Sequence, residues 1–371
     1  MMTIGLILTS FNLSDFYESP NTNSVTYLLV IIFLYLAFSF ITVKAKRQDL
    51  NEALGNSTLY KRFLIISLAG FFVEFSIYGI PALSPLGRDG FAGLPVLHVI
   101  FYSSAIISVL FASLYSGVKQ TACCLLVSFL VSSAILSRQL MMISFVVMLI
   151  SIVIRHKLSK IQYIKITASI LGIIFAFGVL GNIRQQISGD YIDNYIIKIG
   201  GANSAGASIG DSFYWIWLYI ASPVYNLYLN FMDYDTYGYG CNMAISYGSC
   251  SGSLFSDVIL PNTIAKYTGN TEFFIDLVKS HLNAGTAFSA PARIFGISGV
   301  IIQIILQIIF YYIGLLFTPK RVKLAFIVYF SSLSMFMIFD NLFIRGEFFI
   351  GFLLIFTSTL RFRRSVNEAA V

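Results

Sequence analysis

The residues here that can do chemistry are few: Arg138, Arg184, Arg293 and Arg345, His281, Glu74, and scattered acids between 183 and 296. A guanidinium stays charged at any physiological pH and presents a planar fork of donors. Arginines gathered at one surface therefore suit a diphosphate, which they hold by bidentate, charge-assisted hydrogen bonds. Other chemistries lack their residues. There is no Walker A loop, no HExxH, no CxxC pair and no dense carboxylate cluster for two metals. That argues against an ATP-driven pump and a zinc protease. No metal site and no cofactor is expected.

Each of these residues also has a structural reading. Arg138 could hold a lipid headgroup, Arg184 could cap its helix, Arg293 could make a loop salt bridge, and Arg345 with Glu347 could pair with Asp340. Glu74 reads equally as an interfacial carboxylate near a helix end or as a functional group inside a span. His98 reads as a packed helix-end histidine, His156 as part of a solvated basic patch, and His281 as either a base or a packed interfacial histidine. Asn283 and Thr286 could simply shape a turn.

The elements that must position these groups are set by composition. Charged residues make up 11% of the 371 positions and hydrophobic ones 57%, against roughly 25% charged in a soluble domain. Such a chain is a multi-pass membrane protein. Nine apolar runs have spanning length: Ser24–Val43, Phe63–Ile80, Val96–Ser116, Thr121–Leu136, Leu140–Ile154, Ile166–Asn182, Ile297–Phe317, Leu324–Phe339 and Phe348–Leu360. The expected fold is all-α and polytopic, with about nine to eleven transmembrane helices. The net charge of +7 does not indicate nucleic acid, because the basic residues sit in short clusters between spans. Lys44, Lys46, Arg47, Lys157, Lys320, Arg321 and Arg361 mark cytoplasmic connections, which puts the long segment 183–296 outside. Three parts follow: helices over 1–182, a large outer loop over 183–296, and helices with a cytoplasmic tail over 297–371. Met1–Phe16 has no basic n-region and no cleavage site; it reads as a short interfacial segment rather than a signal peptide.

Inside the loop, Phe213–Phe231 is uncharged and long enough to cross, yet one crossing would put the C-terminal arginines outside. Its tryptophans and tyrosines, with Pro223 at the centre, predict a re-entrant or interfacial hairpin. Residues 200–210, rich in Gly, Ala and Ser, read as flexible. Glu272–Leu282 reads as an amphipathic interfacial helix. Cys241 and Cys250 flank a Gly/Tyr-rich stretch and can close a structural disulfide in an oxidising compartment, whereas Cys123 and Cys124 are apolar span residues.

With this layout, the loop borders resemble those of a known family. At its start Gly181-Asn182-Ile183-Arg184 is similar to a Gly-x-x-Arg pattern. Within it Tyr219-Ile220-Ala221-Ser222-Pro223-Val224-Tyr225-Asn226-Leu227 is similar to an aromatic stretch with Pro and Asn. At its end Asn283-Ala284-Gly285-Thr286-Ala287-Phe288 and Phe295-Gly296-Ile297-Ser298-Gly299 match a Thr segment followed by Phe-Gly-x-x-Gly. The chain thus resembles the oligosaccharide repeat-unit polymerases of the O-antigen (Wzy) type. One departure is Ile294, after Arg293, where that family often has an acid.

The resemblance implies a bacterial inner-membrane glycosyltransferase with its large loop in the periplasm, acting on undecaprenyl-pyrophosphate-linked glycans, and a chain-length regulator as partner. Arg184 and Arg138, then Arg293, would stabilise the pyrophosphate leaving group. His281 or a neighbouring carboxylate would take the acceptor proton, with Glu74 a weaker candidate. Asn283, Thr286 and Tyr219 would contact sugar. An O-antigen ligase or a flippase of lipid-linked sugars remains the alternative.

Overall fold

The computed structural model describes residues 1–42, 58–84, 91, 93–155, 159–161, 164, 167, 168, 172, 194–238, 258–265, 267 and 275–358. Among these there are helices and one isolated bridge between Ser14 and Ala202, with no strand. The first half forms α1 (Met2–Thr9), α2 (Thr22–Thr42), α3 (Leu59–Tyr78), α4 (Leu97–Tyr115), α5 (Val118–Ala134) and α6 (Arg138–Arg155). Then come α7 (Tyr195–Ile199), α8 (Ser204–Ser208), α9 (Asp211–Tyr237), α10 (Asn262–Ala265), α11 (Ser289–Phe317), α12 (Lys323–Met335) and α13 (Gly346–Thr357).

Six stretches are long and apolar enough to cross a membrane: Thr22–Ser39, Leu59–Leu83, Leu97–Tyr115, Arg138–Arg155, Ser289–Phe317 and Lys320–Ile338. Val118–Ala134 and Gly346–Thr357 are shorter apolar helices at two more expected spans. The expected sixth span, 166–182, lies almost wholly outside the described residues. Phe33, Phe72, Leu316 and Phe317 point their large apolar side chains outward, a surface that suits lipid and not water.

Two cores hold the helices together. α4 is the pillar of the first; every residue from Tyr102 to Tyr115 is buried, and α3, α5, α6 and α13 pack around it. Phe63 stacks on Phe111 there, with ring centroids 5.5 Å apart. In lipid the drive for helices to associate comes from such close packing and from interhelical hydrogen bonds. Ser128 and Ser144, 2.7 Å apart, supply one between α5 and α6.

The second core is built on α9, against α1, α2 and α11. Here the expected hairpin is corrected: Asp211–Tyr237 is one helix of 27 residues with Pro223 inside it. Proline removes one backbone bond and costs about 3 kcal/mol in a helix interior. Residues 221–228 are buried on every face, and Trp215, Trp217, Tyr225 and Phe231 are buried along the same helix. Each large apolar side chain contributes about 1.5–3 kcal/mol, so packing outweighs the lost bond.

The stretch 200–210 is also ordered, contrary to the flexibility expected from its glycines. Asn203 caps α8 through Gly206 N–H at 2.9 Å, and its backbone N–H donates to Leu13 O at 3.1 Å. The N-terminal segment is thereby tied to the long connection. Trp217 Nε1 donates to Leu8 O and Tyr225 Oη to Thr9 O, at 2.8 and 2.7 Å.

The amphipathic helix expected at 272–282 is absent where described: residues 275–282 are irregular. Their backbone bonds go instead to two side chains of α9. Asn230 accepts from Asp276 N–H at 3.1 Å and donates to Asp276 O at 2.9 Å. Asn226 accepts from Val278 N–H at 3.0 Å and donates to Leu282 O and Ala284 O at 2.9 and 2.8 Å. With backbone groups satisfied this way, the segment has no need of helical bonds.

Candidate functional site

The C-terminal end of α3 and the N-terminal end of α4 build a carboxylate–imidazole pair. α3 stops at Gly79, and the chain passes Pro81–Leu83, Phe91 and Gly93 before α4 begins at Leu97. Glu74, on the last turns of α3, is fully buried. A buried carboxylate must be paired or hydrogen-bonded, and both oxygens are. Oε1 accepts from Leu94 N–H at 2.8 Å, and Oε2 lies 2.9 Å from His98 Nδ1. Phe71, Phe91 and Tyr102 wall the imidazole, their ring centroids 5.8, 5.8 and 6.1 Å from it. Gly93 has φ 65°, and a Cβ there would lie 2.9 Å from the imidazole, so the loop closes over His98 only with glycine at that place.

One wall of the pair is tied to the start of α6. Tyr102 Oη is 3.0 Å from Ser137 Oγ, and Ser137 Oγ in turn accepts from Leu140 N–H at 3.4 Å as α6 begins. Arg138 is the first residue of α6 and is exposed. A cation on the positive end of a helix dipole adds to the field of the free N–H groups, and together they favour an anion. Tyr219 of α9 feels that charge: burial holds its phenol above the ordinary range, and the Arg138 guanidinium pulls the other way. Tyr219 also packs on Phe339 and Trp215, with centroids 5.1 and 6.3 Å apart. Around the same rim Arg345 Nε donates to Asp340 Oδ2 at 2.8 Å, the pairing expected from sequence, and Ser103 Oγ donates to Glu347 O.

A second cluster sits where α11 begins. Phe295 (φ −135°, ψ 17°) and Gly296 (φ 59°, ψ −145°) break α11 after a short first segment. Gly296 takes the left-handed φ, and a Cβ there would lie 2.5 Å from the Tyr234 ring. The break turns Arg293 inward until it is almost wholly buried; Nε donates to Asp276 Oδ2 at 2.8 Å and Nη1 to Gly238 O at 3.3 Å. Asp233 shares a hydrogen bond with Asp276. Its carboxyl is pushed up to about 6 by burial first, then by that bond and the Asp276 charge, while Arg293 pulls it down. One cation facing two carboxyls favours a shared proton. Arg293 therefore reads as a lock that holds 275–288 across α9, the salt-bridge alternative given for it by the sequence.

The remaining candidates are dispersed. His281 is exposed, with Nε2 2.8 Å from Ile199 O, beside the N-terminal segment at Phe16. Asn283 is exposed. Thr286 is buried; its Oγ1 accepts from Phe288 N–H at 3.2 Å and meets Ser289 Oγ at 3.2 Å, which shapes the turn into α11. Arg184, His156, Cys241 and Cys250 lie outside the described residues. Among the described residues no group of three or more His, Cys, Asp or Glu could hold a metal ion.

Of the expected site residues, Tyr219 lies within electrostatic reach of Arg138, and Glu74 pairs with His98. His98 is the member that the sequence reading assigned to packing. Its signal was that two spans joined by a short Pro/Gly loop must place Glu74 and His98 at the same level. The chain matches no protein-family model, no curated protein and no solved structure.

Proposed function

We propose that this chain is an integral-membrane glycosyltransferase that polymerises undecaprenyl-pyrophosphate-linked oligosaccharide repeat units at the periplasmic face of a bacterial inner membrane, as O-antigen polymerases do. In this reading segment 183–296 is periplasmic and a chain-length regulator is a partner. The observation that supports it is the exposed Arg138 at the start of α6, within electrostatic reach of Tyr219 and following Ser137, which is bonded to the Tyr102 that packs on His98.

In the reaction, a hydroxyl of one lipid-linked repeat attacks the anomeric carbon of the growing glycan. The new glycosidic C–O bond forms as the bond to pyrophosphate breaks, and the electron pair leaves on the pyrophosphate. A fixed guanidinium and helix N–H groups aimed at that charge stabilise the transition state. Tyr219, with Phe339, offers an aromatic wall of the kind on which sugars stack.

The test is Arg138→Ala and Arg138→Lys in a deletion strain, with membrane levels checked by immunoblot. Arg138→Ala is expected to leave a single repeat on the acceptor lipid and to abolish the long ladder on a gel. Arg138→Lys should retain part of it, because the charge stays and the bidentate fork goes. A normal ladder in Arg138→Ala removes Arg138 from the site; loss of even the single repeat speaks for a ligase or flippase.

A further inference from the structure

The Glu74–His98 pair has the geometry of an oriented base. Glu74 sits on α3 and its Oε1 is already taken by Leu94 N–H, so the second oxygen meets the ring. With Glu74 as carboxylate, His98 Nδ1 carries the hydrogen and donates it. The Nε2 atom then bears the lone pair, because neutral imidazole has one N–H. Among the described residues no hydrogen bond is made to Nε2, and the imidazole is 22% exposed, whereas Glu74 is at 0%. The ring is held on its sides by Phe71, Phe91 and Tyr102 and from the loop by Gly93. One nitrogen is fixed by a buried carboxylate and the other is left available, the arrangement by which a carboxylate orients a histidine base.

His281 contrasts with this at every point. Its Nε2 is spent on a main-chain carbonyl, Ile199 O at 2.8 Å, so that nitrogen donates, and no carboxylate orients the ring among its hydrogen bonds. Tyr102, which packs on the imidazole, is also hydrogen-bonded to Ser137, the residue before Arg138.

Resting on the polymerase reading above, we infer that His98 is the general base of the transfer, its Nε2 taking the proton of the acceptor sugar hydroxyl as that oxygen bonds to the anomeric carbon, with Glu74 as the positioning residue. The pyrophosphate leaves with the electron pair of the broken bond. The proton on Nε2 passes afterwards to water or to the departing pyrophosphate, which returns the imidazole to its starting state.

Three arms test this. In the first, the gene is deleted: loss of the polysaccharide ladder is expected, and an unchanged ladder overturns the polymerase reading together with the base. In the second, His98→Gln is supplied to the deletion strain at wild-type membrane level. Polymer formation should fall about a hundredfold or more, the range a general base supplies, with the single repeat retained. A ladder of wild-type intensity overturns His98 as base and leaves the polymerase reading standing.

The third arm does not depend on activity or on the variant folding. Nitrogen NMR of the purified wild-type protein, labelled at its 3 histidines, reads the His98 tautomer. Protonated Nδ1 with bare Nε2 is expected; protonated Nε2 with bare Nδ1 overturns the proposal. Glu74→Gln, read in the same way, should lose the bias toward the Nδ1–H form, and Glu74→Asp should keep more of it. A Glu74→Gln spectrum identical to wild type removes Glu74 as the positioning residue.

Discussion

Arg138 and Arg293 carry the same guanidinium into opposite surroundings. Arg138 stands exposed on a positive helix end, whereas Arg293 is closed in by Asp276 and Gly238 O. Removing one partner of such a buried pair leaves the other charge stranded, so Arg293 belongs to the framework. Asp233 gives the framework a pH signature. Its folded-state carboxyl titrates at about 6 against 3.8 for the free group. Between those values the folded protein holds more protons than the unfolded chain, so stability falls as pH rises through the window and levels off above about 6. Asp233→Asn should flatten this component. Thermal unfolding of the purified protein in detergent at steps across that window, compared with Asp233→Asn, reads it directly; two parallel curves would refute the shared proton at this cluster.

At the scale of elements, the organising piece is α9, because it serves two roles at once. Its aromatic residues bind α1 and the N-terminal segment, and its two asparagines hold 275–284 in place of a helix. Asn226→Ala would strip partners from Leu282 O, Ala284 O and Val278 N–H together. Each buried group so orphaned costs about 1–3 kcal/mol. The expected outcome is preferential cleavage between 275 and 288 in limited proteolysis, while α3 to α6 stay protected; an unchanged digest would show that the segment is held by other contacts.

This element also marks where the sequence stops being legible. Apolar length located the helices, since each buries itself by a local property that a window can sum. Pro223 read as a break because its cost is local, while the burial that offsets it involves residues 209 and 216 positions from their partners on this helix, Leu8 and Thr9. Val278 and Leu282 kept a helical spacing with no helix, because their backbone partners, Asn226 and Asn230, lie on another element. Glu74, Arg138 and Tyr219 were singled out by residue type, whereas His98 read as packed, and the rings that pack on it, Phe71, Phe91 and Tyr102, come from both helices and the loop between them.

At the scale of the whole molecule, Glu74, His98, Arg138, Arg345 and the start of α11 must share one face of the membrane. α3 runs toward that end and α4 leaves it, while α6, α11 and α13 begin there. The reverse turn between α4 and α5, residues 116–117 just before Lys119 in the first turn of α5, then belongs to the opposite face. Lys119 and Gln139 are both exposed and bracket α5, so they report the two sides. In a variant whose 4 native cysteines are replaced, Gln139→Cys should react with a membrane-impermeant maleimide added outside spheroplasts. Lys119→Cys should react only after the membrane is opened. The basic clusters favour this orientation, and the proposed polymerase chemistry requires it, because that reaction joins lipid-linked repeats on the periplasmic side. Labelling in the reverse sense would put His98 and Arg138 in the cytoplasm and end the polymerase reading. Equal labelling of both positions without opening the membrane would mean that α5, the shorter apolar helix, does not cross.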